Sequence, residues 1–305
     1  MPLTRPRRTW YVDKMRGYSR RTGKSEGRAF DSVQDAVDAA DPGDLIKVAG
    51  HSEAYDDDAA DGYNEEVTIA AEKAGLVIAA SIRGLDWMLG GNAFIAPQSG
   101  NKTALTNHAD DVHLYGIGLD GEGTGSGLNN TGRRLRGHRC KIEGGAIPII
   151  LTLGSVTQIA AKSRGKGDDA LFEECEVCWA ETGVKLIGSD YGAVTQPKFL
   201  KSRFHNLSAA TFEEGFVAGP PAGDVDIQFR GLLVAGSIFE NIVGDDGVAA
   251  EPTKFFSLND SNQNSGLVTR CVFPVALNSG KNLVSTAVEW IANYHPAGLS
   301  TGQPS

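Results

Sequence analysis

Residues 30–51, FDSVQDAVDAADPGDLIKVAGH, constrain the fold more than any other stretch, because a short amphipathic helix is followed at once by a short apolar strand. Val33, Ala36, Val37 and Ala40 recur at i, i+3, i+4 and i+7, one face of a helix, and Asp31 with Gln34 has the spacing of a capping box. The Asp41-Pro42-Gly43-Asp44 cluster ends the helix, since proline cannot continue its hydrogen bonding and glycine accepts the turn. Leu45-Ile46-Lys47-Val48 then reads as a strand. Because the rest of the chain shows almost no second helix of this quality, one helix ahead of many short strands reads as a cap.

Beyond Val48, short apolar runs such as Val67-Thr68-Ile69, Leu76-Val77-Ile78, Val112-His113-Leu114 and Leu232-Leu233-Val234 alternate with Gly, Asn and Asp turns. Overlaying GLVIAASIRG, DVHLYGIGLDG, RGHRCKIEGG, LFEECEVCWAETG, KFLKSRFHNLSAA, LVAGSIFENIVGD and LVTRCVFPVALNSG gives a loose repeat of roughly 23 to 35 residues, the range of a solenoid whose loops vary in length. A coil of three short strands cannot bury its apolar face alone, so coils stack at the ~4.8 Å strand spacing and equivalent residues form ladders. One inward ladder is expected through Cys140, Cys175, Phe204, Phe239 and Cys271 or Val272, flanked by Arg139, Glu174, Arg203 and Ser237. At the far end, Val284, Val288 and Ile291 have helical spacing and are expected to close the stack, unless a partner subunit does so.

The opening stretch resembles the first coil of right-handed parallel β-helix proteins of the pectate-lyase-like class, with the pattern occupied from Phe30 through Gly43-Asp44 to Gly50. Gly50-His51-Ser52-Glu53 and Gly75-Leu76-Val77-Ile78 are similar to first coils of β-helix proteins in tailed-phage particles, although Ala49 stands where proline is usual. This likeness covers about residues 28 to 120. It implies an all-β, right-handed parallel β-helix with three strands per coil and an N-terminal capping helix. It further implies a virion structural protein on the capsid surface, as a decoration or head-fibre protein, or on the tail, often trimeric.

The formal charge of −9 hides an asymmetry: residues 1–28 hold nine Lys or Arg against Asp13 and Glu26, a net +7, so the remainder carries −16. A basic arm on an acidic body is a handle for an acidic partner surface. Trp10, Tyr11, Val12, Met15 and Tyr18 interrupt the charges, which favours an arm that docks over a solvated tail. The expected docking residues are Arg5, Arg7, Arg8, Trp10, Tyr11, Arg16, Arg20 and Arg21. The expected division is therefore an arm at 1–28, a β-helix at 29–280 and a C-terminal extension or cap at 281–305. No run of about 18 apolar residues is present to span a bilayer, and the basic start has no apolar segment of a secretory signal, so a chain made in a host cytoplasm is expected.

Candidate chemistry is sparse. Parallel β-helices often act on polysaccharides, but the Gly-His-Gly element of polygalacturonase-type hydrolysis is absent, and Arg139-Cys140-Lys141 resembles its Arg-x-Lys strand only superficially. Asp168 and Asp169 with Asp245 and Asp246, two or three coils apart, are the runner-up catalytic carboxylates, since glycoside hydrolysis needs a pair within about 5 to 10 Å. Each Asp pair also adjoins the glycine or alanine of a tight coil corner, the structural reading. Asp56-Asp57-Asp58 with Asp61 lacks the spacing of a calcium loop, and Gly121 to Gly127 lacks the Lys-Ser/Thr of a phosphate loop and reads as flexible. Cys175-x-x-Cys178 could be half a zinc site, but residues three apart on a strand face opposite ways and no second pair lies nearby. Neither the six histidines nor the four cysteines show ligand or disulfide spacing, so no metal, no cofactor and free core thiols are expected.

The resulting expectation is a non-enzymatic virion structural protein, a homotrimer docked on the major capsid protein or another head or tail protein. The alternative is a tailspike-like protein that binds or cleaves host-surface polysaccharide, with Trp87, Trp179 and Tyr191 available to line a groove. An adhesin-like surface protein is a third, weakened by the lack of a signal peptide.

Overall fold

The computed structural model describes residues 8–14, 21–50, 62–81, 93–152, 169–189, 194–217, 229–240, 254–257, 265–274, 282–283, 288–295 and 298–300. Parallel strands wind into a right-handed β-helix of three faces. On the first face ten described strands follow one another in chain order, from Thr9–Val12 and Leu45–Ala49 to Gly266–Thr269 and Val288–Ile291. The second face runs from Ala93–Ile95 through Ile117–Gly121 and Lys141–Gly144 to Ile238–Glu240, and the third from Val67–Ile69 to Asn282–Leu283. The long strands Glu176–Ser189 and Arg203–Val217 belong to both, turning the corner where their register shifts between Ala180 and Thr182. Residues paired between strands of adjacent coils are 21 to 44 apart in sequence, as for Leu128 with Ile149 and Ala210 with Lys254.

Alternation places every second residue inside. On the first face the inward ladder runs Trp10, Ile46, Ile78, Leu114, Gly137, Phe172, Phe199, Val234, Val268 and Trp290, all in register, with a buried tryptophan at each end. Gly137 is glycine because Phe172 fills its place: a Cβ there would lie 2.9 Å from the ring. Phe172 stacks on Phe199 at 5.1 Å, and on the second face Phe204, Phe239 and Phe273 stack at 5.1 and 4.5 Å. On the third face Asn107 and Asn130 are buried: the Asn107 amide donates to the Asn130 oxygen at 2.7 Å and to the Ala109 carbonyl, its own oxygen accepts the Ala109 N–H, and the Asn130 amide donates to the Gly132 carbonyl.

Corners are made by single residues in the left-handed region. One corner carries Asp111, Arg134, Asp169 and Gln196, and the next carries Arg139, Glu174, Lys201, Arg270 and Ala292, with Gly116 and Gly236 at the same position on other coils. The residue just after the second corner forms its own buried ladder, Cys140, Cys175, Ser202, Ser237, Cys271 and Asn293. Its hydroxyl and amide oxygens accept backbone N–H groups of the preceding coil: Cys175 to Ser202 at 3.3 Å, Ser202 to Ser237 at 3.2 Å and Cys271 to Asn293 at 3.0 Å.

Several sequence expectations change here. The expected Cys140-Cys175-Phe204-Phe239 ladder is two ladders, because Phe204 and Phe239 align with Ile142 and Val177, two residues beyond the cysteines. The helix runs Val33–Ala39 as expected, but its N-cap is Ser32, not Asp31: the Ser32 hydroxyl accepts the Asp35 N–H at 3.2 Å. The helix does not precede every strand, since Thr9–Val12, inside the expected arm, is already the first strand of the first face. Instead the helix lies beside Val67–Ile69, the edge of the third face, where the Gln34 amide takes the place of a next strand by accepting the Thr68 N–H at 2.7 Å and donating to its carbonyl at 3.3 Å. No helix covers 288–294; Val288–Ile291 is a strand with Val288 and Trp290 inside and Glu289 and Ile291 outside. The Gly121–Gly127 segment packs tightly, Gly125 lying so close to the Lys102 backbone that no side chain fits. Among the described residues no helix is long and apolar enough to cross a membrane.

Candidate functional site

The corner aspartates are held by cations from neighbouring coils. Arg133 grips Asp110 through its backbone N–H at 2.9 Å and its guanidinium at 2.6 and 2.9 Å, and Arg134 grips Asp111 with two bonds of 2.6 Å. Asp169 is bonded from both sides, by Arg136 of the preceding coil at 2.9 Å and Lys198 of the following coil at 2.8 Å. Burial alone would raise the Asp110 and Asp169 carboxyls, but the hydrogen bonds and charge of these cations outweigh it and hold both below the usual range. At Asp111 the Arg134 hydrogen bond is the largest influence and has the same result. Asp168, Asp245 and Asp246 lie outside the described residues, as do Asp56, Asp57, Asp58 and Asp61.

A denser polar group lies on the outer side of the second face. Lys141, Glu176, Arg203 and Ile238 align across four coils, and two residues on, Glu143, Cys178, His205 and Glu240 align likewise. Between the two rows, Ile142, Val177, Phe204 and Phe239 point into the core. His205 Nε2 meets Glu176 Oε1 at 2.6 Å, Lys141 meets Glu143 at 2.7 Å, Arg203 meets Glu240 at 2.6 Å, and the Cys178 thiol lies 3.4 Å from Glu143 Oε2. Although outward-facing, Cys178 is fully buried and the His205 side chain is only 5% exposed. One ligand atom each from Glu176, Cys178 and His205 lies within 4.8 Å of the others. Burial and the Glu143 carboxylate push the Cys178 thiol well up, so it is not an activated nucleophile. The His205 hydrogen bond, ahead of burial, leaves the Glu176 carboxyl below its ordinary range.

No family model matches the chain, and none of the curated proteins does. Solved structures do. Pectate lyase Pel9A superposes with a TM-score of 0.61 at 15% identity over 95% of this chain and 69% of that one. An alginate lyase from Paenibacillus sp. str. FPU-7 gives 0.56 at 12% identity over 89% and 94%, and a rhamnogalacturonan lyase 0.53 at 13% over 94% and 87%. The chain has the pectate-lyase-like fold. That fold agrees with the resemblance of Phe30 to Gly50, and at such identities it carries architecture alone.

Within the pectate-lyase-like fold the expected docking residues separate. Trp10 is core: its ring lies 6.0 Å from Phe30 in a stacked pair, and its indole N–H donates to buried Asp44 at 2.9 Å, which corrects its reading as a docking group. Asp44 also accepts the Arg8 and Asp41 N–H groups at 2.9 Å. Arg8 is exposed, 3.3 Å from Asp41; Tyr11 is half-buried under Lys47; Arg21 pairs with Asp31. Arg5, Arg7, Arg16 and Arg20 lie outside the described residues. Of the groove aromatics only Trp179 is described, and it is 51% exposed. Cys175 and Cys178 face opposite ways, as their spacing requires. Sequence reading missed the Glu143-Cys178-His205 row. Its signal was present: each is the third residue after the corner ladder member Cys140, Cys175 or Ser202.

Proposed function

We propose that this chain is a non-catalytic β-helix serving as a virion structural protein of a tailed phage, attached at the capsid surface as a decoration or head-fibre protein. The observation that carries the non-catalytic reading is that Asp110, Asp111 and Asp169 are each held by arginine or lysine of an adjacent coil. A general acid must stay protonated near neutral pH, and these carboxyls are held the other way. The virion reading is supported by the likeness of Gly50-His51-Ser52-Glu53 and Gly75-Leu76-Val77-Ile78 to phage first coils. The partner is the major capsid protein or another head or tail protein, engaged by the basic residues ahead of and beside the first strand. A homotrimer has an apolar contact available in Ile238, Val272 and Tyr294, adjacent on successive coils and 41%, 44% and 52% exposed.

Mass spectrometry of purified particles tests this directly: the chain is expected at fixed copy number relative to the major capsid protein, and its absence overturns the reading. Deleting residues 1–7, which spares the first strand, is expected to reduce incorporation. Unchanged incorporation would sink the arm's role.

A second reading, a polysaccharide-processing protein, is favoured by the fold neighbours, whose names are those of pectate, alginate and rhamnogalacturonan lyases. Release of unsaturated oligosaccharides from a polyuronate would favour it.

A further inference from the structure

We propose that Cys178 and His205, with the carboxylates of Glu143 and Glu176, form a site for one zinc-class divalent ion that ties three successive coils together. Thiol, imidazole and carboxylate on one spot are the donor set such an ion selects over calcium or magnesium, which take oxygen alone. Glu143, Cys178 and His205 come from consecutive coils in direct register, so an ion held among them cross-links the stack.

Two further observations point to a ligand. His205 Nδ1 is buried and has no hydrogen-bond partner among the described residues, a state that costs free energy unless something fills it. Its other nitrogen is fixed by Glu176 at 2.6 Å, the carboxylate-to-imidazole arrangement that orients ligand histidines. Second, Cys178 is a buried thiol outside the main hydrophobic cluster, with the Glu143 carboxylate 3.4 Å from its sulfur. One donor atom each of Glu176, Cys178 and His205 lies within 4.8 Å of the others; with Glu176 kept on Nε2 as the orienting partner, His205 Nδ1, the Cys178 sulfur and the Glu143 carboxylate are the ligands, and side-chain rotations bring them to the roughly 3.3–3.8 Å separations that bonds of ~2.0–2.3 Å in a tetrahedron need.

Two cations oppose an incoming ion. Lys141 must leave Glu143, and Arg203 stays on Glu240. On binding, the Cys178 S–H bond breaks, an S–metal bond forms and the proton passes to solvent, so affinity rises with pH. The Glu143 carboxylate, the new thiolate and the His205 imidazole then face the ion, with Glu176 behind the imidazole.

Cobalt(II) is the probe. Titrating it into the full-length protein is expected to give one equivalent of tight binding, with a thiolate-to-cobalt charge-transfer band and intense tetrahedral visible bands. Zinc(II) should displace both signals and raise Tm. Cys178→Ser is expected to abolish the charge-transfer band, Cys271→Ser to leave it intact, and His205→Gln and Glu176→Gln each to weaken binding tenfold or more. No thiolate band, or a band that survives Cys178→Ser, overturns the proposal. Should Cys178→Ser fail to fold, the Glu176→Gln titration decides: affinity within twofold of the parent overturns it.

Discussion

Single side chains decide most of what this stack can do at a given pH. The carboxyls of Asp110, Asp111 and Asp169 are lower in the folded chain than in an unfolded one, so the unfolded chain binds more protons in acid. Their contribution is present above the unfolded carboxylate value of about 4 and is lost as pH falls through the lower folded values. Tm measured by circular dichroism is therefore expected to fall steeply from about pH 5 downward, and Arg133→Ala should flatten that slope. A slope unchanged in the variant would contradict the pairing. In the core, Phe239→Ala should cost ~3–5 kcal/mol, because Phe239 is buried and stacks on both Phe204 and Phe273. Chemical denaturation measures it. The ladders also show why residue-level reading from sequence went astray: sliding a strand by two residues keeps its inward and outward faces, so alternation alone could not separate the Cys140-Cys175 ladder from that of Ile142, Val177 and Phe204. The Glu143-Cys178-His205 row was hidden by that same slip.

At the scale of elements, the helix is held by a residue far from it in sequence. Glu65 accepts the Val33 N–H at 2.6 Å, the Gln34 N–H at 3.0 Å and the Ser32 hydroxyl at 2.6 Å, placing a carboxylate on the helix N-terminus. Glu65→Ala is expected to cost about 1–2 kcal/mol and to speed hydrogen exchange at Val33 and Gln34 selectively. Uniform exchange across the chain would contradict that assignment. Corners make a second test. Lys201 has φ of 50°, a conformation that β-branched residues tolerate poorly, so Lys201→Val should lose roughly 1–2 kcal/mol while Lys201→Gly does not. The helix was legible because its apolar spacing is local. Glu65 was not, because its role depends on how the next coil returns. The strand Val288–Ile291 was misread as helix because Val284, Val288 and Ile291 fit a helical spacing, whereas pairing with Gly266–Thr269 settles the matter by tertiary contact.

For the molecule as a whole, the stack of parallel coils is tied by side chains that run along its axis: aromatic stacks inside, thiols, hydroxyls and amides at one corner, and ion pairs outside. The overall architecture could be read from residues 30–51 and the 23-to-35-residue repeat, since a coil's apolar face has nowhere to go but its neighbour. What the stack does is less local. Where the described carboxylates were expected to offer a catalytic alternative, Asp169 instead joins the coils before and after it. The proposal thus rests on a β-helix whose described corner carboxylates pair with cations of adjacent coils and tie the stack together. The most direct measurement is product release from a panel of polyuronates and capsular polysaccharides incubated with the purified protein, with and without calcium or zinc. The account predicts neither new reducing ends nor unsaturated products under any condition. Turnover that Asp169→Asn abolishes while the variant keeps its Tm would contradict it.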